Sequence, residues 1–152
     1  MTPAGPDRVI AAARRWLGTP YHDQASLRGV GCDCLGLARG VWREVVGPEP
    51  FPIPPYSRGW GETGSREILA EGARRMMIEV PVVDVPPSAL LLFRMMPRAI
   101  AKHVGILIGP DSFIHAYERL GVIEQPLSPA WQRRIAFGFL FPVIASVHPN
   151  PE

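Results

Sequence analysis

The chain has 152 residues, 47% hydrophobic and 20% charged, which suits one globular domain with a sizeable core and leaves little room for a second. Its net charge of +2 gives no electrostatic case for nucleic acid, and the pairs Arg14-Arg15, Arg74-Arg75 and Arg133-Arg134 read as solvated faces. No stretch approaches the roughly eighteen apolar residues of a membrane span, and Cys32 and Cys34 stand too close together to staple distant parts of a fold.

The segment from Met1 to Arg8 has neither the basic start nor the apolar run of a secretory signal, so the chain is expected to be made in the cytoplasm without a signal peptide. Pro6-Asp7 opens a helix whose apolar residues Val9, Ile10, Ala13, Trp16 and Leu17 recur at helical spacing before Gly18 and Pro20 stop it. Residues 19–31 read as a polar loop containing glycine. Asp33 then caps a second helix with a buried stripe of Leu37, Ala38, Val41 and Val45, ending at Gly47-Pro48, so that Cys34 falls in its first turn. Gly47 to Pro55 is proline-dense and extended. A third helix is predicted from about Ser65 to Met77, where Ile68, Leu69, Gly72, Ala73 and Met76 repeat at three and four, with Met76-Met77 filling core.

After Pro86-Pro87 the periodicity changes. Leu90–Phe93, Val104–Ile108, Ser112–Tyr117, Val122-Ile123 and Ile135–Phe141 are short apolar runs divided by Gly, Pro and Asp, as in antiparallel strands. Helices first and strands after argue for an α+β domain with a helix layer on one face of an antiparallel sheet. If Gly109-Pro110-Asp111 is a hairpin loop with Ile108 facing Ser112, then Gly105 lies opposite His115 and His103 is the diagonal neighbour of His115 on the same face. Val104, Ile106, Ile108, Ile114 and Ala116 then point one way, and His103, Gly105, Leu107, Phe113, His115 and Tyr117 the other.

A helix carrying Cys34 on the histidine face would assemble a nucleophile, a base and a group orienting that base. The helix N-terminus and His103 are expected to depress the Cys34 pKa, since a thiol attacks as thiolate. Cys32 reads as an inert buried thiol beneath the helix start, and His22 and His148 as solvent-exposed. Tyr21 fits either packing or a hydroxyl aimed at the thiolate or an oxyanion. A zinc site of two Cys and two His would use the same residues, but one intervening residue at a helix start makes joint coordination by Cys32 and Cys34 awkward.

Taken together, Trp16-Leu17-Gly18-Thr19-Pro20-Tyr21, Asp33-Cys34-Leu35-Gly36-Leu37, His103-Val104-Gly105-Ile106 and Phe113-Ile114-His115-Ala116 resemble in order and spacing the NlpC-type cell-wall cysteine peptidases, a papain-like family. The resemblance runs from the first helix nearly to the C-terminus. It implies a single domain over 1–152 with a short flexible tail from about Val147, Cys34 as nucleophile, His103 as general base and acid, and His115 as the residue orienting His103. Tyr21 and Asp33 would support substrate or oxyanion beside the thiol. The implied substrates are peptidoglycan stem peptides, cut without metal or organic cofactor. The Cys32-Asp33-Cys34-Leu35-Gly36-Leu37 variant looks most like the compact peptidases of phage tails and gene transfer agents. That likeness implies tail or baseplate partners, with Gly47–Pro55 and the C-terminal tail as candidate docking segments, and delivery to the wall within a particle. The alternatives are a structural tail-tip or adaptor protein that keeps the fold, and an amidase or acyltransferase of the same fold.

Overall fold

A computed structural model of the chain describes residues 1–52, 56 and 66–144. Their elements run β1 (Thr2–Pro3), α1 (Pro6–Arg15), β2 (Ser26–Leu27), β3 (Gly31–Cys32), α2 (Cys34–Val45), α3 (Ile68–Met76), β4 (Ile78–Val80), β5 (Leu90–Phe93), β6 (His103–Leu107), β7 (Ser112–Tyr117), β8 (Gly121–Pro126), α4 (Pro129–Gln132), β9 (Ile135–Leu140) and β10 (Pro142–Val143). The three longer helices α1–α3 precede the strands of the main sheet, as the sequence predicts, while the short α4 falls between β8 and β9. The supposed loop at 19–31, however, contains the small antiparallel pair β2–β3, and β4 and the β1–β10 pair are further additions.

Proline at the start of α1 occupies a position whose N–H would have no helical partner, and Asp7 lies at the positive end of the helix dipole. One face of α1 buries Val9, Ala12, Ala13 and the following Trp16, while Leu17 is exposed rather than part of the stripe. In α2 the predicted residues Leu37, Ala38, Val41 and Val45 are all buried. The two helices meet where the Trp16 ring lies on Gly40: a Cβ there would come within 1.9 Å of the indole, so only glycine permits the contact. Helix α3 starts at Ile68, whose side chain is exposed, and buries Ala70 and Ala73. Met77 is buried and Met76 packs partly against the same core, as expected. Ser65, the first residue of the predicted helix, lies outside the described residues, and Arg66 and Glu67 precede the helix, Glu67 as its N-cap.

Among the described residues the main sheet has six strands in the order β4-β9-β5-β6-β7-β8, antiparallel throughout. In the β6–β7 hairpin Ile106 pairs with Ile114 and Leu107 with Phe113, and the Ile108 N–H donates to the Ser112 carbonyl. This is the predicted register, and it sorts the side chains as alternation requires. Val104, Ile106, Ile108, Ile114 and Ala116 join residues of α1, α2 and α3 in the larger core. Leu107 and Phe113 turn to the opposite face, where they pack with Ala89, Leu91, Phe93 and Trp131 of α4 in a second cluster. The helix layer therefore covers the face away from the two histidines, and the expectation that the Cys34 helix lies on the histidine face is corrected. The isoleucine and valine side chains are the ones that match the apolar stripe of α2, and burying them decides which face the helix takes.

Candidate active site

Asp33 organises the approach to Cys34. It has extended backbone at the N-cap of α2, and its Oδ1 accepts from the Gly36 N–H at 2.7 Å, satisfying one of the unpaired donors of the first turn. Its Oδ2 accepts from the Gln24 N–H at 2.7 Å and from the Tyr56 hydroxyl. The buried carboxylate thus ties the preceding loop and Tyr56 to the start of the helix that carries the thiol. Gln24 holds φ at 62°, a left-handed conformation unusual for a residue with a side chain, and the Asp33 bond helps hold it there.

Cys34 is half-buried, and its Sγ lies 3.7 Å from the carbonyl oxygen of Lys102, the residue before β6. Backbone N–H groups of Val104, Leu35 and Cys34 itself also address the sulfur. The nucleophile candidate therefore comes to His103 at the N-terminal end of β6, beside the main chain on either side of it, not across a shared face. A cavity of about 210 Å³ opens there, lined by Cys34 and His103 together with Tyr21, Asp33, Tyr56 and Leu35 and by the charged residues Asp23, Lys102 and Glu118. Tyr21, left open between packing and function, is half-buried, lines this cleft and bridges in β fashion to Cys32. Cys32 is fully buried, so the two thiols face different surroundings. Among the described residues no group of three or more His, Cys, Asp or Glu could hold a metal ion.

The predicted diagonal is present as a hydrogen bond: His103 Nε2 is 2.8 Å from His115 Nδ1. His115 Nε2 in turn lies 2.8 Å from Oε1 of Gln125 on β8. Gly105 makes this approach possible, because a Cβ there would sit 2.9 Å from the Phe113 ring and 3.4 Å from the His115 Cβ. Aromatic rings enclose the pair. Trp131 meets His115 edge-on at 5.1 Å between centroids and lies 5.8 Å from His103, and Phe113 is 4.5 Å from His115. With Nε2 of His103 committed to His115, its Nδ1 is the ring nitrogen left for proton exchange with a reacting group.

This apolar setting reverses the expected charge state. Burial, assisted by the neighbouring His115, lowers His103 to about 3. Burial also lowers His115, against the opposing pull of the hydrogen bond to Gln125. Burial and the Asp33 carboxylate push the Cys34 thiol up to about 12, outweighing the three backbone N–H groups that favour the thiolate. The expected depression of the Cys34 pKa is therefore not found: a neutral imidazole supplies no cation to hold a thiolate. Burial likewise raises Cys32 to about 12, in keeping with an inert thiol. Tyr21 is raised well above the usual phenol range, first by burial and then by Cys34 and Asp33, so its hydroxyl remains a donor.

Sequence reasoning missed Gln125 and Trp131. The first follows from the β7–β8 register, in which Tyr117 pairs with Gly121, His115 with Ile123 and Phe113 with Gln125, making Gln125 the diagonal neighbour of His115. The second was signalled by Ser128-Pro129, a cap followed by N1 proline, and the Ser128 Oγ accepts from the Trp131 N–H. His22 is exposed as expected, whereas His148 lies outside the described residues.

A thiol at a helix N-terminus beside an imidazole chain on an antiparallel sheet defines a papain-like arrangement, and the chain has the NlpC/P60 fold. It superposes on an NlpC/P60 family protein of Bacillus cereus with a TM-score of 0.63 at 22% identity, over 90% of this chain and 40% of that one. For the NlpC/p60 domain of the peptidoglycan hydrolase SagA the TM-score is 0.59 at 20% identity, over 89% of this chain and 97% of the domain. In sequence it is 30% identical over 129 residues to the Escherichia coli K12 protein named murein DD-endopeptidase MepS/murein LD-carboxypeptidase. That alignment takes in 84% of this chain, which spans 58% of the relative's length. No family model matches the chain.

Proposed function

We propose that the protein is a peptidoglycan hydrolase, a cysteine endopeptidase that cleaves amide bonds of murein stem peptides. The observation that carries the reading is the meeting at one cleft of Cys34, at the start of α2, with His103, whose Nε2 is hydrogen-bonded to the buried His115. The murein endopeptidase likeness supplies the substrate class.

In this reading the Cys34 sulfur attacks the scissile carbonyl while its proton passes to Nδ1 of His103, so a C–S bond forms as the S–H bond breaks. The developing oxyanion is met by the Cys34 N–H at the helix N-terminus, with the protonated Tyr21 hydroxyl as a second donor on that side of the cleft and Asp33 holding the helix start in place through its cap. The C–N bond then breaks, and His103 returns the proton to the leaving amine. Water, deprotonated by His103, attacks the thioester and releases the acid and the thiol. Burial disfavours both the thiolate and the imidazolium, so in this reading proton transfer accompanies the attack. His115 holds the base in place through its bond to Nε2.

We further propose that the protein is carried to the wall in the tail of a phage-like particle, with tail or baseplate proteins as partners. The likeness of the Cys32–Leu37 motif to compact tail peptidases supports it. Among the described residues no helix is long and apolar enough to cross a membrane. The test of the hydrolase reading is to incubate the protein and its Cys34→Ala variant with purified sacculi and to identify released fragments by mass spectrometry. Cys34-dependent stem-peptide cuts are expected and would name the bond, and a folded protein that releases nothing would overturn the reading. Co-sedimentation of the protein with purified particles tests the tail assignment.

A further inference from the structure

The two-histidine pair admits two proton arrangements of equal hydrogen-bond count, and only one of them leaves a working base. If His115 carries its proton on Nε2, its Nδ1 is an acceptor, His103 donates from Nε2, and Nδ1 of His103 holds a lone pair. If His115 is protonated on Nδ1 instead, every direction reverses: His103 must accept at Nε2, carry its proton on Nδ1, and lose the ability to take one from a thiol. Something outside the pair has to choose.

We propose that Gln125 makes this choice, as a positioning residue that fixes the tautomers of both histidines and so keeps Nδ1 of His103 free to accept a proton. Its Oε1 faces His115 Nε2 at 2.8 Å, and a carbonyl oxygen can only accept. The Nε2 proton of His115 is thereby set, and with it the donor at His103 Nε2, 2.8 Å from His115 Nδ1. Gln125 reaches this position because β8 pairs it with Phe113, one step along the face from His115. A chain of diagonals thus crosses three strands, His103 on β6, His115 on β7 and Gln125 on β8. Second partners of this kind commonly fix a histidine's tautomer, as in metal sites.

The inference deepens the hydrolase reading and rests on it for its catalytic meaning, yet its test needs no substrate. Two-bond ¹H–¹⁵N correlation spectra of the wild-type protein at neutral pH should show His103 and His115 both protonated on Nε2. In Gln125→Leu, similar in size but unable to accept, His115 should lose that preference and His103 should follow. Gln125→Glu, which can only accept, should restore the wild-type pattern. With sacculi or stem peptides, Gln125→Leu should lower kcat by roughly 10- to 100-fold at little change in KM, and Gln125→Glu should recover much of it with a shifted pH profile. An Nδ1-protonated His115 in the wild type would overturn the inference, as would wild-type tautomers in Gln125→Leu. Should Gln125→Leu not fold, the wild-type spectrum and the Gln125→Glu comparison decide it, an unaltered His115 tautomer preference being required in both. Absence of hydrolysis by a wild type with the expected tautomers would count against the hydrolase reading alone.

Discussion

At the scale of single residues, burial disfavours the charged forms of Cys34 and His103, aided by the Asp33 carboxylate at the thiol and by His115 at the imidazole. Alkylation of Cys34 by iodoacetamide, with Cys34→Ala as the blank, is therefore expected to lag behind a free cysteine at pH 7 and to rise only above pH ~9. Efficient labelling below pH 8 would reveal a resting thiolate and an imidazolium. The division of labour between the histidines is equally open to measurement. His103→Ala removes the proton acceptor, so kcat should fall by about 100- to 10,000-fold, whereas His115→Ala removes an orienting partner and should cost less. Equal losses would contradict those roles. Cys34, His103 and His115 were legible as a set because a thiol one residue past a helix cap and a three-residue hairpin loop both constrain geometry locally. Gln125 was not singled out, because its meaning depends on a second hairpin register and on the ring nitrogen it meets.

At the scale of elements, α2 shows how much a cap can organise. Asp33 gathers bonds from Gly36, Gln24 and Tyr56, so Asp33→Ala should lower stability by about 1–3 kcal/mol in chemical denaturation. Asp33→Asn, which keeps a capping oxygen, should lose less. If alanine were tolerated as well as asparagine, the cap would not be what holds this loop. Strand β6 carries a second constraint at Gly105. Gly105→Ala would drive a methyl towards the Phe113 ring and the His115 Cβ, with an expected cost of about 1–3 kcal/mol from overpacking. Helices α1 and α2 and the β6–β7 pairing were readable because their apolar periods are long or their turn is short. Strand β4, the β2–β3 pair and α4 span three, two plus two, and four residues, too few to impose a period on the sequence.

At the scale of the whole molecule, the two faces of the sheet do different work. One buries the helix layer, and the other packs Phe93, Phe113 and Trp131 around the imidazoles. Alternation identified both faces from sequence, yet it could not say which one the helices would choose, since that depends on the summed fit of apolar surfaces across the fold. The aromatic face also links stability to pH. His103 titrates at about 3 when folded, against about 6.5 in an unfolded chain. Between those values the unfolded state binds more protons, so the stabilisation is complete above pH ~6.5 and is lost as pH falls toward ~3. Tm should decline on acidification from pH 7 to pH 4, and His103→Asn should flatten that decline. Identical slopes for the two proteins would show that His103 is not held neutral by the fold.

The most direct test of the central claim is rapid-quench intact-protein mass spectrometry with a purified disaccharide stem peptide as substrate. A transient adduct with the mass of the acyl fragment, mapped to Cys34 and absent in Cys34→Ala, is the expected result. Stem-peptide cleavage proceeding equally well in Cys34→Ala would contradict it.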